Sequence, residues 1–461
     1  MEKIKPAFKQ NRVYERARRL AISAVIALGK RNVSGLLCTA AEQFVDWSAA
    51  YRLFDKERMD REAVFSPARD TVIGRLRHDE PLVVMMDDTL IRKRGRKVHG
   101  TGWKRDPLGP HFCDNFVWGQ RFLQMSAALP DRDCHGRARA IPIDFLHAPS
   151  ASKPKKRAAK EEWQKYRILQ AQMKVSTLAA DRLHELRKQT GDKRIICALD
   201  GGFTNRTVFR NIPDNTTLIG RIRKDAKLFA VPKEESASRR GRRSFYGESL
   251  QTPDEVRQNK DIPWQTVEAF AAGRRHAFEV KVMPNVRWKG TGERTVQVVI
   301  VRPLAYRPRK GAHLLYRNPV YLICTDKDLD LRQLMQSYLW RWEIELNFKE
   351  EKTAIGVGEA EVRSKQSVEN TPAFVVASYA YLLLAGTDER IKEKALPRPK
   401  WQKALEDERA STQQMRSLFR SQLWQIGIDA NKTHFVNTKS FSRTHFYSSN
   451  SLNNAVCYAI R

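Results

Sequence analysis

The sequence predicts an α/β protein built on a mixed sheet. Three observations predict it: short apolar runs of strand length, longer stretches with helical periodicity, and acidic residues closing two of the runs. The first run, LVVMMDDTLI, follows Pro81 and reaches Asp87 and Asp88. NFVWGQRFLQMSAAL and ARAIPIDFL read as two further strands, followed by a long helix from about Lys160 to Arg187. RIICALDGGF is a fourth strand, ending on Asp200, and a short helix separates it from the strand-like TTLIGRIRKDAKLF. Three strands, a helix, a strand, a short helix and a strand is the order of a ribonuclease H-like core.

At 461 residues the chain exceeds the size at which a single core keeps growing, so several units are expected. Its 84 Lys and Arg against 52 Asp and Glu leave a net charge of +32, which calls for a polyanionic partner. The longest apolar stretch, Ala373 to Ala385, is shorter than the roughly 20 residues a bilayer requires. That favours nucleic acid over a membrane. Thr371 as N-cap, Pro372 in the first helical position and Gly386 at the stop make this stretch a buried helix. The amino-terminal MEKIKPAFKQNR has no apolar core, which argues against a secretory signal and for a cytoplasmic location.

Residues 1–80, with apolar positions three and four apart in VYERARRLAISAVIALGK, read as a helical N-terminal domain. It would either grip DNA backbone or form a solvated bundle. Residues 81–231 hold the first part of the core. Residues 232–315, rich in Arg, Gly and alternating runs such as AFEVKVM and TVQVVIVRPL, read as an inserted β-rich subdomain. The core resumes over 316–390 with PVYLICTD and a long helix from about Leu331 to Lys352. A C-terminal region, 391–461, contains the helical TQQMRSLFRSQLWQIG.

The chemistry concentrates in SYLWRWEIELNFKEEK. On one continuous helix Tyr338, Arg341, Glu345 and Lys352 fall within an arc of roughly 60°. An ordinary amphipathic helix would show one apolar and one polar face. Here apolar Met335, Leu339, Trp342 and Leu346 flank the stripe on one side and Ile344 and Phe348 on the other, with Glu343, Asn347, Glu350 and Glu351 on a separate polar side. A charged stripe so flanked lines a cleft. A carboxylate there beside Arg, Lys and Tyr suits a phosphodiester coordinated through cations, with Arg341, Lys352 and Tyr338 on phosphate oxygens. Two hard cations about 4 Å apart need several carboxylates. Asp87 and Asp200, at the carboxyl ends of strands, are the available partners.

The spacing Tyr338, Arg341, Glu345, Lys352 resembles the Y-R-E-K signature of the DDE transposases of prokaryotic insertion sequences, a group that includes hairpin-forming elements. VMMDDT, with Asp87 and Thr89, resembles that family's first catalytic motif, and ALDGGF its second; Asp88 adjoins Asp87 and is the alternative ligand. The resemblance covers roughly Pro81 to Gly386. It implies a ribonuclease H-like core, catalysis by Asp87, Asp200 and Glu345 on two Mg²⁺ ions with Mn²⁺ able to substitute, and a homodimer on transposon ends. The reaction implied is cleavage at those ends and strand transfer into target DNA, in a nucleoid-associated prokaryotic setting. A non-catalytic DNA binder and a nuclease without strand transfer are the competing readings.

Basic runs fit backbone neutralisation: Arg92, Lys93, Arg94, Arg96 and Lys97; Lys153, Lys155, Lys156 and Arg157; and Arg239, Arg240, Arg242 and Arg243. Thr89 and Lys349 join Arg92 and Arg94 as expected DNA contacts. Trp264 and Trp288 would either stack on a displaced base or pack the insertion. None of the six cysteines forms a CxxC pair. His111, Cys113, Cys134 and His135 could assemble a zinc site, though not with the spacing of a finger.

Overall fold

The computed structural model describes residues 2–106, 109, 112, 115–132, 134, 136–232, 244–309, 311–387, 400 and 409–430. The basic run Arg239 to Arg243, the zinc candidates His111, Cys113 and His135, and most of 391–461 lie outside these residues.

The strands run, in chain order, β1 (Leu82–Arg92), β2 (Gly102–Arg105), β3 (Phe116–Pro130), β4 (Ala138–His147), β5 (Ile195–Leu199), β6 (Thr216–Arg221) and β7 (Leu228–Ala230), then β8 (Gln265–Ala271), β9 (Arg274–Trp288), β10 (Thr295–Val301), β11 (Ala305–Tyr306), β12 (Leu315–Tyr316) and β13 (Val320–Cys324). β1 lies antiparallel to β3 and β3 to β4, whereas β5 runs parallel to β1 and β6 parallel to β5. This mixed sheet is compatible with a ribonuclease H-like fold. Every residue of β5 is buried, as expected for a parallel strand covered on both faces.

The β-rich stretch continues the same sheet. β13 pairs with β6, β10 with β13, and β9 with β10, all antiparallel, with β7 and β8 on the far edge of β9.

Three helical expectations change. The stretch from Lys160 is two helices, Lys160–Gln172 and Val175–Gln189, interrupted at Met173 and Lys174. The apolar helix starts earlier than Thr371: it spans Lys365–Ala385, and the Ser364 side chain accepts from the Ser367 N–H as its cap. Pro372 therefore sits inside it, and burial of most of the helix offsets the hydrogen bond the ring removes. The stripe helix is Leu331–Trp340, then Trp342–Glu350, jointed at Arg341, and a π-helical turn Glu351–Ile355 follows.

The expected polar side of that helix is also corrected, because Asn347 and Glu351 are buried against the sheet. The reason is a polar pocket in β3. Gln124 Nε2 donates to Glu351 Oε1 at 2.9 Å, and Asn347 Nδ2 donates to Ser126 Oγ and to the Ala140 carbonyl, each at 3.2 Å. Burial pushes the Glu351 carboxyl up to about 8, so it is neutral at pH 7 and avoids the cost of a buried charge. Behind the same helix Glu350 accepts from Tyr379 and Thr412, and Arg409 pairs with Glu343 at 2.6 Å. The helix Trp342–Glu350 is thus clamped from its rear. Among the described residues no helix is long and apolar enough to cross a membrane.

The helix Thr412–Ala430 returns to the amino-terminal helices. Arg416 donates to the Val25 carbonyl, Arg420 to that of Ile26, and Arg416, Arg420 and Arg31 all reach the Ala27 carbonyl. These guanidiniums satisfy the carbonyls that the end of the helix Asn11–Ile26 leaves open and oppose its negative pole. Replacing Arg420 by Leu, which strands the Ile26 carbonyl and leaves that of Ala27 to Arg416 and Arg31, should cost about 1–3 kcal/mol. Urea unfolding would measure it; an unchanged midpoint would show that the arginine does not hold the helix end.

Candidate active site

Asp87 lies in β1, and Asp200 immediately follows β5. The parallel register sets Met86 beside Leu199, so the next residues, Asp87 and Asp200, stand side by side about 4.8 Å apart. Asp200 is at the carboxyl end of β5, whereas Asp87 lies midway along β1, which pairs with β3 as far as Arg92 and so runs past the end expected from sequence. Asp200 Oδ1 accepts from the N–H groups of Gly202 and Phe203, at 2.8 and 3.1 Å, and so turns the chain just after the strand.

Arg341 brings the third carboxylate in. Its guanidinium stands 3.6 Å from Asp87 and 3.1 Å from Glu345, and its side chain is 8 % exposed. The joint between the two helices puts this residue at the sheet while Glu345, one turn on, keeps a 40 % exposed side chain at the rim. With Arg341 lodged between them, Asp87, Asp200 and Glu345 do not all stand within 4.8 Å of one another. The guanidinium also lies 5.9 Å from the Tyr338 ring and 5.2 Å from the exposed Trp342 ring, which offer it a cation–π seat outside the carboxylates.

The electrostatics report the crowding. Burial pushes the Asp87 carboxyl up to about 7, and the neighbouring Asp200 charge adds to it; the Asp88 N–H, at 2.8 Å, and Arg341 pull the other way. Asp88 pairs with Arg121 at 3.2 Å and its carboxyl is also raised, first by burial. Asp87 is therefore the acid that shares a cation with Glu345, whereas Asp88 has its own. Three or four hard oxygen donors with surplus negative charge fit Mg²⁺ or Mn²⁺, and they do not fit a soft metal.

The other expected site residues divide. Tyr338 is buried next to Arg341, and burial raises its hydroxyl pKa. Lys352 and Lys349 are exposed, but Lys352 is about 10 Å along the helix from Glu345 and lies in the π turn near Arg92 and Asp106. Arg92 is exposed and bonded to Asp106 at 2.8 Å; Arg94, Lys153, Lys155, Lys156 and Arg157 are exposed. Two expectations are corrected. Thr89 is 6 % exposed and offers DNA no surface, because β1 is covered there. Lys93 is tied to the carbonyls of Gly358 and Ala360, so it anchors a loop.

Trp288 packs edge-on against Phe209 at 5.6 Å, and Trp264 lies beneath Lys281 and Arg302. Both rings are partly buried. The more open aromatic pair is Trp103 and Trp118 on β2 and β3, 5.6 Å apart, with Trp103 66 % exposed. Sequence reasoning passed over them; two tryptophans shortly after a basic run were the available signal.

A family profile described as DDE superfamily endonuclease matches residues 5–291, a span that contains Asp87 and Asp200 and stops before Glu345. No curated protein matches the chain.

Asp87 titrates near pH 7 in the folded chain and near 3.8 when unfolded, so the fold holds its proton more tightly and loses stability as pH rises from about 4 to about 7. Asp87→Asn should therefore be more stable than the parent at pH 8, by on the order of a few kcal/mol, and converge with it near pH 4. Denaturant midpoints at the two pH values check this. An equal difference at both would remove the crowded-carboxylate reading.

Proposed function

We propose that this chain, which belongs to the DDE superfamily endonuclease family, is a DNA transposase of the insertion-sequence type. It cleaves at transposon ends and transfers the freed strand into target DNA. The observation that carries this reading is Arg341, buried between Asp87 and Glu345 while the strand register sets Asp200 beside Asp87. A mere DNA binder has no need to bury and crowd acids beneath a basic surface, because each raises the cost of folding.

Asp87, Asp200 and Glu345 would hold two divalent cations, Mg²⁺ with Mn²⁺ as substitute, and the bound ions would supply activation of the attacking water or 3′-hydroxyl and stabilisation of the leaving oxygen. Within the chain, Arg341 exchanges its carboxylate partners for a phosphate oxygen as the acids close. Tyr338 orients that guanidinium, and Lys349, Lys352, Arg92 and Arg94 neutralise the phosphates leading away from the scissile bond. Trp264 and Trp288 are the candidate base-stacking residues for a hairpin intermediate. The active species is a homodimer on paired ends. No side-chain nucleophile is required, so Tyr338 stays intact throughout.

Asp87→Ala, Asp200→Ala and Glu345→Ala should each abolish Mg²⁺-dependent cleavage of DNA carrying the element's own flanking repeats while leaving binding in place. Denaturing gels of the products separate nicks, hairpins and joined strands; robust cleavage by Glu345→Ala would remove the three-acid centre. Nicking without any joined product would leave a nuclease of the same family. Arg341→Ala should slow cleavage on the order of 10²-fold. Full activity in that variant would make the arginine a packing residue only.

A further inference from the structure

Away from the three acids, His99, His147 and Glu369 each offer a ligand atom, and these atoms lie within 4.8 Å of one another. They come from three elements: the loop after β1, the last residue of β4, and the helix Lys365–Ala385. From the geometry we propose a second metal site here, taking a borderline divalent cation such as Zn²⁺ and distinct from the Mg²⁺ centre.

His147 supplies the first argument. It is 6 % exposed, yet neither ring nitrogen has a hydrogen-bond partner among the described residues. Burying a polar ring atom unpaired costs about 1–3 kcal/mol, and a structure that leaves two so placed has a use for at least one. The ring is fixed by Phe122, 5.0 Å away, and by an edge-on contact with His99 at 6.0 Å.

The second argument is that the partners are held in place. The His99 backbone is clamped on both sides, its N–H donating to the Arg363 carbonyl at 3.0 Å and its own carbonyl accepting from Gln120 Nε2 at 2.6 Å. Gly100 follows with φ +70°, and a Cβ there would come within 2.3 Å of the His147 ring, so the close approach requires glycine. Glu369 gives one oxygen, Oε2, to Arg61, which orients the carboxylate as an outer partner orients a metal ligand. Lys104, the other cation near His147, is engaged with Ser150.

The donor set selects the ion. Two imidazoles and one carboxylate suit Zn²⁺ and similar borderline cations; Mg²⁺ prefers oxygen alone. Ligands about 2.0–2.2 Å from a tetrahedral ion stand about 3.2–3.6 Å apart, so from within 4.8 Å the three side chains need to close by no more than about 1.6 Å. His99 is exposed, which leaves a fourth position open to water. Because His147 pairs with Phe122 and Phe122 with Thr89, the site lies two strands, about 10 Å, from β1 at a point two residues beyond Asp87. An ion there would pin the loop that carries Arg92, Arg94, Arg96 and Lys97 to the core.

The test is Zn²⁺ titration of the chelator-stripped full chain against a chromophoric competitor, with Co²⁺ absorption as a report of histidine ligation. One Zn²⁺ per chain is expected, retained in Asp87→Asn and weakened by more than about tenfold in both His99→Ala and Glu369→Gln, with loss of the Co²⁺ d–d bands. His99 is on the surface, and circular dichroism of its alanine variant guards against a folding artefact. Absence of stoichiometric binding, binding indifferent to both variants, or binding that vanishes in Asp87→Asn would each overturn the site and leave a stacked histidine pair.

Discussion

The whole arrangement hangs on acids that the backbone buries side by side, where burial first penalises their charge and mutual repulsion adds to it. Parallel pairing of β1 with β5 leaves Asp87 and Asp200 no choice but to emerge as neighbours, and Asp88 adds a third charge. Without relief such a cluster would open the end of the sheet. Relief comes from Arg341 and Arg121, and from Asp87 holding its proton near neutral pH. In the proposed reading a small divalent cation would remove the penalty that two guanidiniums and a proton only reduce.

Supporting structure follows from the need to hold Arg341 and Glu345 against that end. The helix Trp342–Glu350 presents its second face to β3 and β4, where Gln124, Ser126 and Asn347 hydrogen-bond in the interior and Glu351 is kept neutral. Arg409, Tyr379 and Thr412 secure its outer side through Glu343 and Glu350. A π-helical turn then accommodates the change of direction before Gly356, at φ +75°. Segments far apart in the chain thus fix one short helix to within hydrogen-bond tolerance.

Much of this was legible in advance. Apolar runs ending on acids marked β1 and β5, and the order of elements matched the mixed sheet, because strand length and alternation are local properties. The proximity of Arg341 to Glu345 was also readable, since a spacing of four converts directly into a shared helical face, whereas helical spacing says nothing of Asp87 on β1; the chemistry assigned to all three remains the proposal. What escaped was non-local. Asn347 and Glu351 looked solvent-facing because nothing in their own helix reveals Gln124 and Ser126, more than 200 positions earlier. Pro372 looked like a helix start because the benefit of burying the turns before it depends on β4 and the amino-terminal helices. Likewise His99, His147 and Glu369 share no sequence pattern, and only the sheet and one tight glycine turn bring them together.

The arginine cap on the helix Asn11–Ile26 has a consequence for biosynthesis. The Ala27 carbonyl has Arg31 close by in sequence, but the Val25 and Ile26 carbonyls find their guanidinium partners only once Arg416 and Arg420 have been made, 391 and 394 positions later, so the packing of this helix end waits for them. Nascent fragments would carry the basic surface without its finished support, and a premature stop before Arg416 would release an immature chain for proteolysis. Coupling an amino-terminal helix to the last described one makes the end of that helix depend on a long-range contact rather than on local folding.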